Sequence, residues 1–223
     1  MNFQKNSKLY FALLLCVFAL ACSSTSTSSN STAPSASPPT SFTPGETKVT
    51  PDEEIAIVET DFGKFKIKFY PDVAPKHVEN FKKLAREGFY NGLAFHRVIP
   101  NGIIQGGDPM TRGDNRERWG SGEPGQPTVP AEFNARAFVA GSVGAARTSD
   151  PNSATSQFFV CVSPNSGWNG QYTVFGHVIE GLNVVQIISN APRDPATINQ
   201  SDIVQEKVVI RRVTLEKAGA QSK

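Results

Sequence analysis

Arg97 and Gln105 lie eight residues apart in a mostly apolar stretch, FHRVIPNGIIQGGDP, which occupies residues 95–109. A turn signal at Pro100-Asn101-Gly102 separates them. A surface hairpin would carry more charge, and a core hairpin would carry neither side chain. An arginine offers a rigid fork of donors and cannot lose its proton, while a glutamine both donates and accepts. The pair therefore marks a candidate site.

The usual signatures of bond-breaking catalysis are missing from the sequence. It contains no H-E-x-x-H, G-x-S-x-G, C-x-x-C or G-x-x-x-x-G-K-[ST] motif. None of the three histidines, His77, His96 and His177, has a second histidine at metal-ligand spacing. A satisfied structural histidine is the favoured interpretation of each. We therefore expect no metal, no cofactor and no nucleophile.

The N-terminus has the layout of a secretory signal. A short basic segment precedes an apolar run at residues 9–20, and Ala19-Leu20-Ala21-Cys22 follows. The run of about a dozen residues is short for a membrane span, which needs roughly 20. The cut site resembles a bacterial lipobox, and the alternative is an ordinary signal peptide cut near Ala21. The prediction is a lipoprotein-type signal peptide at 1–21 and lipidation of Cys22.

The next segment, residues 22–50, is dominated by Ser, Thr, Pro and Ala. Such a composition cannot bury enough apolar surface to fold, so we expect a disordered tether. A globular domain at 51–217 and a short tail at 218–223 complete the chain. Removal of residues 1–21 leaves 20 basic and 20 acidic side chains, a balance that argues against nucleic-acid binding. One internal cysteine remains, Cys161, which cannot form an intramolecular disulfide and is interpreted as a small buried hydrophobe.

Hydrophobic periodicity within the domain predicts about eight short strands and two helices. The strands are predicted at 55–60, 64–69, 94–98, 103–105, 138–145, 157–162, 173–179 and 207–215. The helices are predicted at 74–87 and around Leu182, Val185 and Ile188, and residues 108–130 are predicted to be loop. Strands and helices do not alternate regularly. An antiparallel barrel or sandwich capped by helices is therefore favoured over a parallel sheet.

The sequence resembles the cyclophilin family of peptidyl-prolyl isomerases. The resemblance rests on FHRVIPNGIIQGGDP, SQFFV (156–160), TVFGHVIEG (173–181), the helix APKHVENF and the segment GFYNGLAFHRV, and it covers residues 54 to 215. It implies a mainly β fold, a closed eight-stranded antiparallel β-barrel capped by two α-helices, with a binding groove on its outer face. It implies catalysis of rotation about X–Pro bonds, which breaks no σ-bond and needs no cofactor.

The resemblance also implies roles for individual residues. Arg97 would stabilise the twisted imide nitrogen of the substrate, and Gln105 would hold the substrate backbone or orient Arg97. The implied substrate-binding residues are Phe95, Ile103, Ala146, Gln157, Phe159, Trp168 and Tyr172.

Several positions depart from the family pattern. The family usually has Phe-Met where this chain has Gly102-Ile103, and it often has Leu where Trp168 stands. Tyr172 replaces a histidine found in many eukaryotic members, and Arg147 replaces an asparagine. Loss of the aromatic at 102 thins one wall of the proline pocket, and Trp168 could supply apolar surface from the other side.

The leading hypothesis is a monomeric isomerase that is exported, is held to a bacterial membrane only by its lipid, and assists folding of Pro-containing exported polypeptides. The alternative is a low-activity module of the same fold that binds Pro-containing segments of a partner protein. A third hypothesis, an adhesion protein, rests only on the tripeptide Arg112-Gly113-Asp114.

Overall fold

The computed structural model describes residues 50–196 and 202–219, in which eight antiparallel strands close into a barrel. The strands are β1 (Glu54–Thr60), β2 (Gly63–Phe69), β3 (Ala94–Ile99), β4 (Ile103–Gly106), β5 (Ser142–Ala145), β6 (Phe158–Cys161), β7 (Val174–Glu180) and β8 (Ile203–Lys217). Around the barrel their order is β1-β2-β7-β5-β6-β4-β3-β8. Two α-helices, α1 (Pro75–Arg86) and α2 (Leu182–Ser189), complete the fold. The predicted fold class is confirmed.

Period-two alternation builds the barrel wall. On β2, Phe65, Ile67 and Phe69 are buried while the intervening lysines are more exposed. In a strand, successive side chains point to opposite faces, so this pattern places one face toward the interior. The same logic places Val98, Ile104 and Val160, which are cross-strand neighbours on β3, β4 and β6, inside the barrel.

Both helices contribute to the same interior core. From α1, Val78, Phe81 and Ala85 pack into it, and α2 adds Val184, Val185 and Ile188. The helix α1 begins at Pro75, whose missing N–H costs nothing in a first turn. The helix α2 follows Gly181, which has φ +83° and where a Cβ atom would come within 2.4 Å of the Lys64 carbonyl oxygen. Only glycine fits there without strain.

A second apolar cluster is separate from the interior core. Its buried members are Tyr70, Ile103, Phe138, Phe159, Cys161 and Val174. Five partly buried residues pack against it, namely Val73, Ile99, Ala146, Trp168 and Tyr172. We call this set the outer cluster, because its strand members alternate with residues that face the barrel interior.

Three element predictions need correction. The strand predicted at 138–145 begins only at Ser142, because a turn with Gly141 at φ +90° precedes it and Phe138 packs into the outer cluster from a loop. The last strand is longer than 207–215 and runs from Ile203 to Lys217, paired with both β1 and β3. The predicted loop at 108–130 contains short 3₁₀ turns at Pro109–Arg112 and Arg116–Arg118.

Candidate active site

Arg97, Gln105, Phe159 and Gly144 form one row across four neighbouring strands. Arg97 on β3 pairs with Gln105 on β4, Gln105 pairs with Phe159 on β6, and Phe159 pairs with Gly144 on β5. Directly opposed residues in a sheet project to the same face. The barrel register therefore brings the predicted cation, the predicted amide and an aromatic ring side by side on its outer face.

A chain of side-chain hydrogen bonds runs along this row. The Arg97 Nη1 group donates to Gln105 Oε1 at 3.4 Å, and Gln105 Nε2 donates to Gln157 Oε1 at 3.1 Å. Gln157 Nε2 in turn donates to the backbone carbonyl of Gly120 at 3.1 Å. The Arg97 side chain is 34% exposed, so the guanidinium is held and still reaches solvent. Gln157, one of the predicted binding residues, therefore holds the Gln105 side chain in place through this hydrogen bond.

The outer cluster supplies an aromatic wall next to this chain. The rings of Phe159 and Trp168 meet edge to face at 5.2 Å, and Tyr172 meets Phe159 edge to face at 5.8 Å. Ile103 packs in the same cluster. Edge-to-face rings at these distances attract each other. The wall is therefore a packed apolar surface, with a phenol at its edge.

A cleft lined mainly by polar side chains opens beside the wall. Gln105, Ala146 and Gln157 line it, together with backbone and side chains of the 120–126 loop and the 147–155 loop. Ala146 also packs against the outer cluster. It is the residue at which the apolar wall and the polar cleft meet.

Phe95 is the one predicted binding residue that the structure does not bring to this face. Its side chain is fully buried among interior residues, with the Phe158 ring at 5.9 Å and the Phe65 ring at 6.2 Å. Residues two apart on a strand normally share a face. The pairing of β3 with β8 shifts register between Phe95 and Arg97, and this irregularity accompanies the inward turn of Phe95.

Two structural supports of the site have no individual signal in the sequence. The Phe138 ring stacks on Phe159 at 5.5 Å with an interplanar angle of 26°. At Gly144, a Cβ atom would lie 2.3 Å from Phe159 Cζ and 2.8 Å from Phe138 Cε1. The hydrophobic pattern marked Phe138 as apolar, but only the register reveals that these two residues support the Phe159 ring.

Family comparison agrees with this geometry. Residues 55–215, more than half of the chain, match the model of the family described as cyclophilin type peptidyl-prolyl cis-trans isomerase/CLD. The chain belongs to the cyclophilin-type peptidyl-prolyl cis-trans isomerases. The predicted resemblance is confirmed.

Individual relatives and a solved structure support the assignment. A probable peptidyl-prolyl cis-trans isomerase of Brucella abortus (strain 2308) is 46% identical over 140 residues, which are 61% of this chain and 71% of the relative. A peptidyl-prolyl cis-trans isomerase of Acinetobacter baylyi is 38% identical over 149 residues, which are 65% of this chain and 76% of the relative. A crystal structure of a Cryptosporidium parvum cyclophilin type isomerase, determined in the presence of the dipeptide Ala-Pro, is similar with a TM-score of 0.63 and 27% identity, covering 73% of this chain and 98% of that chain.

Gly102 marks where this cyclophilin departs from the usual pattern. A Cβ atom there would lie 2.8 Å from Ile99 Cγ2 and 3.3 Å from the Ile99 carbonyl oxygen. Ile99 packs against the outer cluster. A side chain at 102 would therefore displace Ile99.

Burial disfavours the charged forms of two side chains near the cyclophilin site, His96 and Cys161 in their imidazolium and thiolate states. Burial lowers the pKa of His96 to about 4, against the opposing effects of Asp108 and of a hydrogen bond with the Ala94 backbone. Burial raises the pKa of the Cys161 thiol to about 12, so it stays protonated. Within the described part of the chain, no group of three or more His, Cys, Asp or Glu side chains could hold a metal ion.

The Arg112-Gly113-Asp114 tripeptide is engaged within the domain. The Arg112 guanidinium donates to the Phe89 carbonyl at 2.6 Å and lies over the Phe89 ring at 5.3 Å. Asp114 pairs with Lys207 at 2.7 Å. Both charged ends of the tripeptide have local partners, and the Asp114 side chain is 97% exposed.

The predictions for the N-terminal segments fall outside the described residues. The signal peptide at 1–21, the lipidation of Cys22 and nearly all of the 22–50 tether belong to this group. Across 50–196 and 202–219, neither helix has the length and apolarity required of a membrane span.

Proposed function

We propose that this domain catalyses cis–trans rotation about X–Pro bonds of exported polypeptides, with Arg97 as the catalytic residue. The observation that carries the proposal is the hydrogen-bonded pair of Arg97 and Gln105 beside an apolar wall on the barrel's outer face. The pair supplies a fixed cation, and the wall supplies a surface for a proline ring. These are the two elements that the reaction requires.

The reaction needs electrostatic help and no bond cleavage. Amide resonance imposes a barrier of about 18–20 kcal/mol. At the twisted transition state the imide nitrogen loses conjugation and regains a lone pair, which a guanidinium N–H can bind. Because the planar ground state lacks that lone pair, the interaction favours the transition state selectively. A 10⁵-fold acceleration would require roughly 7 kcal/mol.

Binding is divided between the two surfaces next to Arg97. The proline ring packs on Ile103, Phe159 and Trp168, because apolar surface is buried there at little entropic cost to rigid rings. The Tyr172 hydroxyl, at the edge of the wall, donates to a substrate carbonyl. Gln105 and Gln157 line the polar cleft, where they bind the backbone before the proline.

The proposed membrane location of the domain rests on the N-terminal sequence. Cleavage before Cys22 and acylation of its thiol would anchor the domain through a Ser/Thr/Pro-rich tether, on the side of the membrane that exported proteins reach. The clients are then unfolded exported chains with X–Pro bonds, whose spontaneous isomerisation takes tens to hundreds of seconds.

The location is tested by following acylation in the native bacterium. Cells expressing the full-length chain are labelled with an alkyne fatty acid and separated into membrane and soluble exported fractions. Label on the wild type, with loss of both label and membrane association in Cys22→Ser, supports the anchor. A Cys16→Ser variant controls for substitution of a cysteine in the same region. Membrane association of Cys22→Ser equal to that of the wild type contradicts the proposal.

A second candidate function has one observation in its favour. Glycine stands at position 102, where the family usually has an aromatic residue, so the wall offers less apolar surface to a proline ring. A domain with a weakened wall could bind Pro-containing segments with little turnover. Exchange NMR on an Ala-Pro peptide separates the two candidates. Peptide binding with no increase in the cis–trans exchange rate would support the binding module, and an increase of several orders of magnitude would support the enzyme.

A further inference from the structure

Asp202 is joined to the strand that carries Arg97. Its backbone carbonyl accepts a hydrogen bond from the Val98 N–H at 3.0 Å, and the next residue, Ile203, pairs with Arg97. Asp202 has φ +52°, a left-handed conformation that aspartate tolerates better than most residues. The backbone therefore places the Asp202 carboxylate beside Arg97, on the side of β3 that pairs with β8. Gln105 lies on the other side of β3, on β4.

Two arginines share the Asp202 carboxylate. Asp202 Oδ2 lies 3.9 Å from Arg97 Nη2, and Asp202 Oδ1 lies 2.6 Å from Arg193 Nη1. The Asp202 side chain is only 15% exposed. Partial burial strengthens both interactions relative to a surface pair. The Arg97 guanidinium is thus held on both sides, through Nη1 by Gln105 and through Nη2 by Asp202.

We propose that Asp202 is a positioning residue for Arg97 and that Arg193 weakens the attraction of the Asp202 carboxylate for Arg97. A carboxylate that paired with Arg97 alone would draw the guanidinium away from Gln105 and offset its positive charge. Because Arg193 holds the other carboxylate oxygen at the shorter distance, the three side chains together keep one net positive charge. Arg97 is oriented by Asp202 while remaining a cation toward the substrate.

The inference rests on the proposed catalytic role of Arg97, so the experiment includes an Arg97→Ala variant. Full-length chains are compared in detergent as wild type, Asp202→Asn, Arg193→Gln, the double variant and Arg97→Ala. Exchange NMR on an Ala-Pro peptide gives the turnover rate at saturation, and titration gives the KM. Circular dichroism and thermal unfolding check the fold of each variant.

Asp61→Asn is the matched control. Asp61 also binds an arginine, Arg211, through Oδ1 and accepts a β8 backbone N–H, that of Val209, through Oδ2. Its substitution removes the same charge from a similar arrangement, built on Arg211 and Val209 instead of Arg97. We expect its kcat and KM to equal those of the wild type.

Asp202→Asn is expected to lower kcat about five- to tenfold with KM changed less than about twofold, because orientation of Arg97 matters mainly at the transition state. Arg193→Gln is expected to lower kcat about threefold, since the freed carboxylate then pulls on Arg97. The double variant should be no slower than Asp202→Asn alone, because Arg193 acts only through Asp202.

Several results would overturn the inference. One is wild-type kcat in a folded Asp202→Asn variant while Arg97→Ala is inactive. Another is a double variant in which the two losses multiply. If Asp202→Asn fails to fold, Arg193→Gln, which leaves the Asp202 carbonyl in place, decides the question through its kcat. If Arg97→Ala is as active as the wild type, the proposed function itself fails, and the two failures are thus distinguishable.

Discussion

Gln105 lies directly across from Arg97 on the neighbouring strand, and its side-chain oxygen accepts a hydrogen bond from the Arg97 guanidinium at 3.4 Å. The other end of the same amide donates to Gln157. An amide whose two ends are both engaged has a defined orientation. Gln105 therefore turns its side-chain oxygen toward Arg97, while its amide nitrogen donates to Gln157.

Substitutions of Gln105 separate orientation from charge. Gln105→Ala removes the acceptor, and we expect about a three- to tenfold lower kcat in peptide exchange NMR. Gln105→Glu keeps an acceptor at nearly the same place but adds a negative charge next to Arg97, which offsets the cation. We expect it to lose at least about tenfold in kcat. A Gln105→Glu variant as fast as the wild type would show that the charge of Arg97 does not drive catalysis.

Gly144→Ala tests the support of the aromatic wall. The added methyl group would meet Phe159 Cζ at 2.3 Å and Phe138 Cε1 at 2.8 Å, so the Phe159 ring must move. We expect about tenfold weaker binding of a proline peptide and a loss of about 1–3 kcal/mol in unfolding free energy. Peptide titration and denaturant unfolding measure the two effects.

Gly113→Ala is the control for this prediction. Its φ is not positive, and the nearest atom to an added Cβ is the Met110 carbonyl oxygen at 3.7 Å, an ordinary contact. Peptide affinity should match that of the wild type. Equal affinities of the Gly144→Ala and Gly113→Ala variants would mean that Phe159 does not contact the peptide.

Tryptophan fluorescence should report occupancy of the wall. The chain has two tryptophans, and Trp168 belongs to the outer cluster while Trp119 is nearly buried with its indole N–H bonded to the Gly113 carbonyl. A proline peptide should change the emission of the wild type and of Trp119→Phe, and leave that of Trp168→Phe unchanged. A binding-induced change that persists in Trp168→Phe and disappears in Trp119→Phe would place the peptide elsewhere.

The contacts of Glu132 at the start of α1 lead us to expect that acid lowers the free energy of unfolding. Its carboxylate accepts the backbone N–H groups of Lys76 and His77, each at 3.0 Å, and contacts the His77 ring at 2.7 Å. Burial alone would raise the pKa of Glu132, but these hydrogen bonds outweigh it and lower the pKa below its ordinary 4.5. A carboxyl with a lowered folded pKa stabilises the fold above its unfolded pKa, and that contribution disappears as pH falls through the folded value.

The measurement compares the unfolding free energies of the wild type and Glu132→Gln over a range of pH. The wild type should be more stable by about 1–2 kcal/mol near neutral pH, and the difference should shrink below about pH 4.5. Glu79→Gln, an exposed substitution on the same helix, should show no such difference. A wild-type advantage that stays constant from neutral pH into strong acid would rule out the charged form of Glu132 as its source.

Local pattern was sufficient to predict most of the fold. Alternation identified β2, helical spacing identified α1, and a turn signal between two apolar segments predicted the hairpin that brings Arg97 and Gln105 together. These features depend on neighbours within about ten residues. The family motifs then implied barrel closure, which period-two alternation alone does not distinguish from a sandwich.

Features that depend on distant segments were not predictable in the same way. Phe95 turns inward beside an irregularity in the pairing with β8, more than a hundred residues later in the chain. Asp202 reaches Arg97 through the same distant strand pairing. Phe138 supports Phe159 from a loop, where no periodicity exists to reveal which side a residue faces.

The most direct test of the account is exchange NMR on an Ala-Pro peptide with the full-length chain as wild type and as Arg97→Ala. The variant's fold and peptide affinity are measured in the same samples. We expect a folded variant that still binds the peptide but has lost at least about a hundredfold in kcat, since Arg97 acts on the transition state. A folded Arg97→Ala variant with the kcat of the wild type would contradict it.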